Sequence, residues 1–234
     1  MAHIQFKGHS SEEFNLKILE LEHAPRGAEG YEEINVPGRQ EPLIQTTDTH
    51  PPTSLLMTAE IPAGADVRAI FQWLSGHGDL ITSDEPDKRY IAYACESINV
   101  TRVNGIYRSI SHSFRLSPFA YAINNTPIAL SGTPSYFKTI GTYWSEPLIE
   151  LTGSGDISVN VNGAVLTVPA VSGTIYIDVP AKKVYKLTEG YKTLLTSSGW
   201  IEDMILVPDA ERYNVISWEG DVSAVKLTKN ERWL

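Results

Sequence analysis

The chain has 234 residues, 42% of them hydrophobic, and a formal charge of −9. These values describe a folded globular chain, lacking the polar excess of a disordered protein and the run of about 18 apolar residues that a membrane helix needs. Basic residues number 10 against 16 acidic before residue 135 and 9 against 12 after it, and they never cluster, which argues against nucleic-acid binding.

The first residues, Met1-Ala2-His3-Ile4-Gln5-Phe6-Lys7, hold no apolar leader core, so synthesis in a cytoplasm without leader cleavage is expected. One helix is predicted, from Asp66 to Ser75. Val67, Ile70, Phe71 and Leu74 fall on one helical face, Asp66 stands where a carboxylate caps free N–H groups, and Gly76 and Gly78 end the run. Trp73 is expected at the edge of that face. The run Tyr90 to Cys95 reads as a strand, with the lone cysteine as a small core hydrophobe rather than a disulfide or zinc partner.

Ser97–Arg102 and Ile106–Leu116 read as the arms of a long hairpin. Asn104-Gly105 between them tolerates the positive φ angles of a type I′ turn. The second arm is polar on both faces for several residues, so it faces water on both sides or pairs with another chain. Asn124-Asn125-Thr126-Pro127 and Ser131-Gly132-Thr133-Pro134 are turn or linker chemistry, placing a boundary between residues 121 and 141. The expected domains are 1–135 and 136–234. Beyond the boundary, short strands follow one another: Leu148–Leu151, Ile157–Val161, Ala164–Val168, Thr174–Val179, Lys183–Leu187, Tyr213–Trp218 and Ser223–Leu227. Gly153-Ser154-Gly155-Asp156 and Asn162-Gly163 separate the first three. The fold class is therefore mainly β, a strand-rich first domain with one short helix followed by an antiparallel sandwich.

Signatures of nucleotide binding, serine hydrolysis and zinc proteolysis are absent. Ser135-Tyr136-Phe137-Lys138 matches a serine–lysine pattern, but it sits in the expected linker rather than at a helix start. Asp48, His50, His77 and Asp79 have metal-ligand chemistry, yet two separate loops would have to meet, and solvated loop residues are the simpler account. Asp84, Glu85 and Asp87 offer paired carboxylates, which catalysis needs opposed across a cleft; with Pro86 among them they read as a turn. Four of the five tryptophans, Trp144, Trp200, Trp218 and Trp233, fall in the second domain. Large side chains fill a small sandwich core, but exposed aromatics also stack on sugar rings. Tyr143-Trp144 is the pair singled out as a candidate glycan contact.

The order of short motifs then points to a family. Phe6-Lys7-Gly8, Val36-Pro37-Gly38-Arg39, the Ile70-Phe71-Gln72-Trp73-Leu74 helix, Ser83-Asp84-Glu85-Pro86 and Ser117-Pro118-Phe119 succeed one another. Pro147-Leu148-Ile149 leading to Gly153-Ser154-Gly155-Asp156, and the terminal Glu231-Arg232-Trp233-Leu234, complete the series. The whole chain resembles the distal tail (Dit) family of long-tailed, non-contractile bacteriophages and prophages of Gram-positive bacteria. It departs from many relatives at Gln40-Glu41 and at Gly141-Thr142. The resemblance implies a tail-tube-like β-sandwich with a helix and a long hairpin, closing into a homo-hexameric ring, and a galectin-like sandwich beyond it. It implies a virion location at the tail tip or baseplate and assembly in the host cytoplasm. Implied partners are the tail-tube or tape-measure proteins, a tail-associated lysin-type protein, and receptor-binding or baseplate proteins. No enzyme activity, cofactor, metal, nucleic acid or membrane is implied. The alternative is a glycan-binding module in host-wall attachment through the second domain.

Overall fold

The computed structural model describes residues 2–23, 30–47, 49–94, 96–208 and 212–234. Asp48 and Cys95, considered above as ligand and core residue, lie outside these. The chain divides into two compact units, Met1–Ala120 with Leu234, and Tyr121–Trp233. The division falls before the 135/136 boundary expected from turn chemistry. Ile128–Leu130 and Ser135–Phe137, which read as linker, instead pair with a strand of the second unit.

The first unit is built from β1 (Ile4–Phe6), β2 (His9–Ser10), β3 (Lys17–His23), β4 (Tyr31–Ile34), β5 (Leu43–Thr46), β6 (Thr53–Glu60), α1 (Val67–Trp73), β7 (Gly76–Thr82), β8 (Lys88–Ala94), β9 (Asn99–Val103) and β10 (Ile106–Ala122). Its main sheet runs β2-β1-β7-β8-β10-β6-β3, with β9 also beside β10. Strand period two decides what is buried: Leu55, Met57 and Ala59 of β6 face the core, as do Ile110, Phe114 and Leu116 of β10. Phe6 meets Phe114 edge to face, ring centroids 5.1 Å apart. Each fully buried Leu, Ile, Met or Phe among them is worth roughly 1.5–3 kcal/mol over an exposed one.

Asp66 caps α1 as expected, accepting hydrogen bonds from the N–H groups of Arg68 (3.0 Å) and Ala69 (3.1 Å). The buried face, however, is rotated from the predicted stripe. Ile70, Trp73 and Leu74 are buried while Val67 and Phe71 are only half-buried. Trp73 turns inward because its indole N–H donates to the Phe6 carbonyl (3.0 Å) and its ring stacks on Phe14. Gly76 and Gly78, expected to trail the helix, belong to β7.

The β9–β10 hairpin turns at Asn104-Gly105, both with positive φ, pairing Val103 with Ile106. Its second arm is polar on both sides only near the tip. Further along, His112 is 1% exposed, directed inward between Ile110 and Phe114. Neither of its ring nitrogens has a hydrogen-bond partner among the described residues.

The second unit holds β11 (Ile128–Leu130), β12 (Ser135–Phe137), β13 (Leu148–Val161), β14 (Ala164–Asp178), β15 (Lys183–Thr188), β16 (Tyr191–Leu194), β17 (Ser198–Gly199), β18 (Asn214–Thr228) and β19 (Arg232–Trp233). The sheet order is β11-β18-β13-β14-β15-β16, with β12 beside β18 and β17 beside β14. Six of the predicted short strands are three long ones. The Gly153-Ser154-Gly155-Asp156 stretch is not a turn between strands but a bend inside β13, where the register with both neighbours shifts. Glycine is needed there because a Cβ on Gly153 would lie 2.4 Å from the Asp221 carbonyl oxygen. Gly220 bends β18 at the same corner, at φ +110°, where a Cβ would lie 2.6 Å from the Asp156 carbonyl oxygen. Both halves of each long strand then bury one face on a single core, with Ile149, Leu151, Val159, Leu166, Ile177, Ile216 and Leu227 among its members.

Candidate assembly surfaces

Apart from Asp48, the residues considered for catalysis or metal binding take part in local structure. Glu85 accepts a hydrogen bond from Lys88 Nζ (2.6 Å) and another from the Tyr90 hydroxyl, and Asp84 Oδ2 lies 3.4 Å from His23 Nε2. The segment carrying them, with Asp87, turns β7 into β8: the Lys88 N–H donates to the Glu85 carbonyl at 3.1 Å. Asp79 is held by Arg89 at 2.7 Å, His77 lies against Tyr93, and His50 packs edge-on to Phe119. Among the described residues, no three His, Cys, Asp or Glu side chains gather closely enough to hold a metal ion. Ser135 sits in β12 with its hydroxyl on the Gly132 carbonyl, while Lys138 Nζ lies 5.0 Å from the Tyr213 ring centroid.

Tyr143 and Trp144 come together with a buried cation. Their ring centroids are 5.2 Å apart, and the Arg232 guanidinium carbon lies 4.0 Å from the Trp144 centroid and 5.4 Å from that of Tyr143. Arg232 Nε also donates to the Trp144 carbonyl, and its Nη1 is 3.9 Å from Glu146 Oε2. Trp144 keeps 36% of its surface exposed, but one ring face is occupied by the arginine. The neighbouring Glu231 is nearly buried and accepts from the N–H groups of Ile140 (2.7 Å) and Gly141 (2.9 Å). Gly141 is required by close approach, since a Cβ there would meet the Arg232 carbonyl oxygen at 2.4 Å. The terminal Glu231-Arg232 pair, noticed in the sequence only as a landmark, thus clamps the 140–146 segment. No spacing rule links residues about 90 positions apart, so sequence could not have found it.

Exposed apolar surface lies elsewhere. β4 and β5 form a two-stranded sheet of their own, to which no other described strand pairs, and every residue in it is exposed. Tyr31 is 58% and Ile44 63% exposed; Ile34 and Leu43 are also open. Register places Tyr31 and Ile44 on one face and Ile34 and Leu43 on the other, so both faces carry apolar side chains. The Val36-Pro37-Gly38-Arg39 motif is the bend at its tip, with the Arg39 N–H donating to the Val36 carbonyl (3.1 Å). Val103 and Ile106 flank the tip of the β9–β10 hairpin and are similarly exposed. In the second unit, exposed apolar surface gathers on the β15–β16 hairpin at Leu187, Tyr191 and Leu194.

No protein-family model matches the sequence, and no curated protein sequence matches it. The crystal structure of SPP1 Dit (gp 19.1) does match, with a TM-score of 0.75 over 100% of both chains at 13% identity. That protein is described as a paradigm of the hub adsorption apparatus in phages infecting Gram-positive bacteria. The chain has the Dit fold. Within that fold, the motifs that carried the sequence resemblance occupy an exposed hairpin tip, a β7–β8 turn, a sheet corner and a C-terminal clamp. Phe6-Lys7-Gly8 and the α1 motif meet instead, Lys7, Gln72 and Trp73 lining one pocket of about 380 Å³ with His9, Phe14 and Ala69.

Proposed function

We propose that this chain is a distal tail protein, the ring-forming hub at the tip of a bacteriophage tail. The observation that carries this reading is the likeness to SPP1 Dit across the full length of both chains. The β4–β5 hairpin supports it physically. Two-stranded hairpins alone are marginal in water, so one with apolar side chains on both faces gains stability by burial against a neighbour. A head-to-tail contact of that kind, repeated around an axis, closes a ring, and six copies are the expected number. The first unit is then the tail-tube-like ring element and the second a galectin-like sandwich. The ring joins tail-tube and tape-measure proteins on one side to a tail-associated lysin-type protein on the other, in the virion after assembly in the host cytoplasm. Receptor-binding or baseplate proteins attach to the second unit. The role is structural, without a catalytic step.

Tyr143 and Trp144 are assigned to bracing the 140–146 segment, because Arg232 packs on one face of Trp144 and bonds its carbonyl; the glycan-binding alternative is left to the other, open face. Negative-stain images of the purified chain and of virions test the hub: six-fold rings are expected at the distal end of the tube. Monomers alone by light scattering at high concentration, together with virions that lack the ring, would sink it.

A further inference from the structure

The β15–β16 hairpin has a feature that the hub reading does not use. β16 is the last strand on its side of the second unit's sheet, so one side of its backbone is unpaired. The turn is the two-residue Glu189-Gly190, both at positive φ, which pairs Thr188 with Tyr191. That pairing fixes the alternation. Tyr191 and Thr193 direct their N–H and C=O groups toward β15, with the Leu195 N–H continuing the ladder onto the Val184 carbonyl at 2.9 Å. Lys192 and Leu194 therefore direct theirs outward, two donors and two acceptors along an open edge. Edges of this kind are commonly blunted by shortness, lysine, proline or a bulge; β16 is four residues long and carries Lys192, but it holds no proline and no bulge. Instead the edge carries exposed apolar side chains, with Tyr191 78% and Leu194 63% exposed.

Charge sets the kind of strand that fits. The segment 182–194 holds four of the chain's 19 basic residues, Lys182, Lys183, Lys186 and Lys192, but one of its 28 acidic ones, Glu189. The nearest further carboxylate is Asp178, 3.9 Å from Lys192 Nζ, and Lys192 also lies over the Tyr185 ring at 4.2 Å. A basic, apolar edge, a local grouping of lysines that the count by halves of the sequence passed over, thus interrupts an otherwise acidic chain. Two copies pairing edge to edge would bring these lysines together, which disfavours self-association here.

We propose that β16 is a docking edge that accepts an extended acidic segment of another protein as an added antiparallel strand. Main-chain hydrogen bonds to Lys192 and Leu194 supply register, and strand alternation puts the guest's apolar residues on the Tyr191 face and its carboxylates on the opposite face, which carries Lys192 and Lys183. The surface belongs to the second unit alone and does not depend on ring formation by the first.

The test titrates the isotope-labelled full chain with the synthetic peptide Glu-Val-Asp-Ile-Glu-Val-Asp while backbone amide shifts are followed. Saturable shifts at Lys192 and Leu194 are expected, weakening at least tenfold when salt rises several-fold and absent with a lysine-for-acid peptide. Leu194→Pro should abolish them. It removes an outward N–H without touching the β15–β16 ladder, and unchanged shifts elsewhere would show that the fold persists. Lys183→Glu with Lys192→Glu should weaken binding tenfold or more. Absence of shifts at millimolar peptide, equal binding by the lysine peptide, or wild-type binding by Leu194→Pro would each overturn the proposal. So would edge shifts that track protein concentration without peptide, which would make a second copy the occupant.

Discussion

The two units spend a similar length of chain on opposite ways of closing a β core. Apart from the 17-residue β10, the first assembles short strands from distant parts of the sequence and covers the sheet with one seven-residue helix. The second takes three strands of 14 and 15 residues and bends each around a single core. The first therefore depends on interlocking side chains, Phe6 on Phe114 and Trp73 on Phe14. The second depends on backbone approaching backbone at a glycine corner. Side-chain cores fail gradually when cut back, because neighbours relax into the gap. A corner has no comparable freedom, since the contacting atoms are carbonyl oxygens of adjacent strands.

This contrast can be broken at its sharpest point. Gly153→Val should destabilise the second unit by about 3 kcal/mol or more, since the new Cβ and its methyls have no backbone-free space. Urea denaturation followed by hydrogen exchange at Val159 and Leu166 should show early opening, while Ile110 and Phe114 keep their protection. Equal loss in both units would dissolve the distinction. Phe114→Ala makes the reciprocal cut. It should cost the first unit roughly 3–5 kcal/mol through the cavity left beside Phe6, with exchange in the second unit unchanged.

His112 sharpens the comparison through pH. Burial lowers its proton affinity, an effect that the charge of Glu96 only partly offsets. The unfolded chain takes up that proton near the ordinary value of 6.5, ahead of the folded chain. Stability is therefore full above that pH and declines below it, by at most about 1.4 kcal/mol per pH unit until the folded-state value is reached. Urea midpoints for exchange in the first unit should fall between neutral pH and pH ~5, and His112→Leu should flatten that slope. An unchanged slope in the variant would assign the acid sensitivity elsewhere. Asp66→Ala, which removes the α1 cap, should cost about 1 kcal/mol in the first unit, measurable in the same denaturation experiment.

The smallest expected effect is also the one that separates stability from assembly. Leu43→Ser with Ile44→Ser, on the fully exposed β4–β5 hairpin, should leave monomer stability within about 0.5 kcal/mol. The same change should reduce ring formation in negative-stain images. A large loss of monomer stability would mean that the hairpin serves its own unit rather than a neighbour.

What was legible in the sequence was local chemistry. Asn104-Gly105 and Asn162-Gly163 make two-residue turns because both residues of each accept positive φ, and that depends on nothing farther away. Asp66 caps its helix because the acceptor and both donors lie within three residues of one another. The long Dit-like order of motifs was also visible. The meaning of those motifs was not. Gly153-Ser154-Gly155-Asp156 has the composition of a turn, and only the carbonyl oxygens of Asp221 and Asp156 crowding the corner make it a bend within one strand. Trp73 lay off the predicted stripe until the Phe6 carbonyl gave its N–H a buried acceptor. That Arg232, 88 residues beyond Trp144, packs against Tyr143 and Trp144 was equally invisible. The sequence by itself determined where the backbone can reverse and where a helix can start, because those choices are settled among near neighbours. Which surfaces end up covered was decided by the tertiary structure, because burial is a property of what the rest of the chain brings alongside.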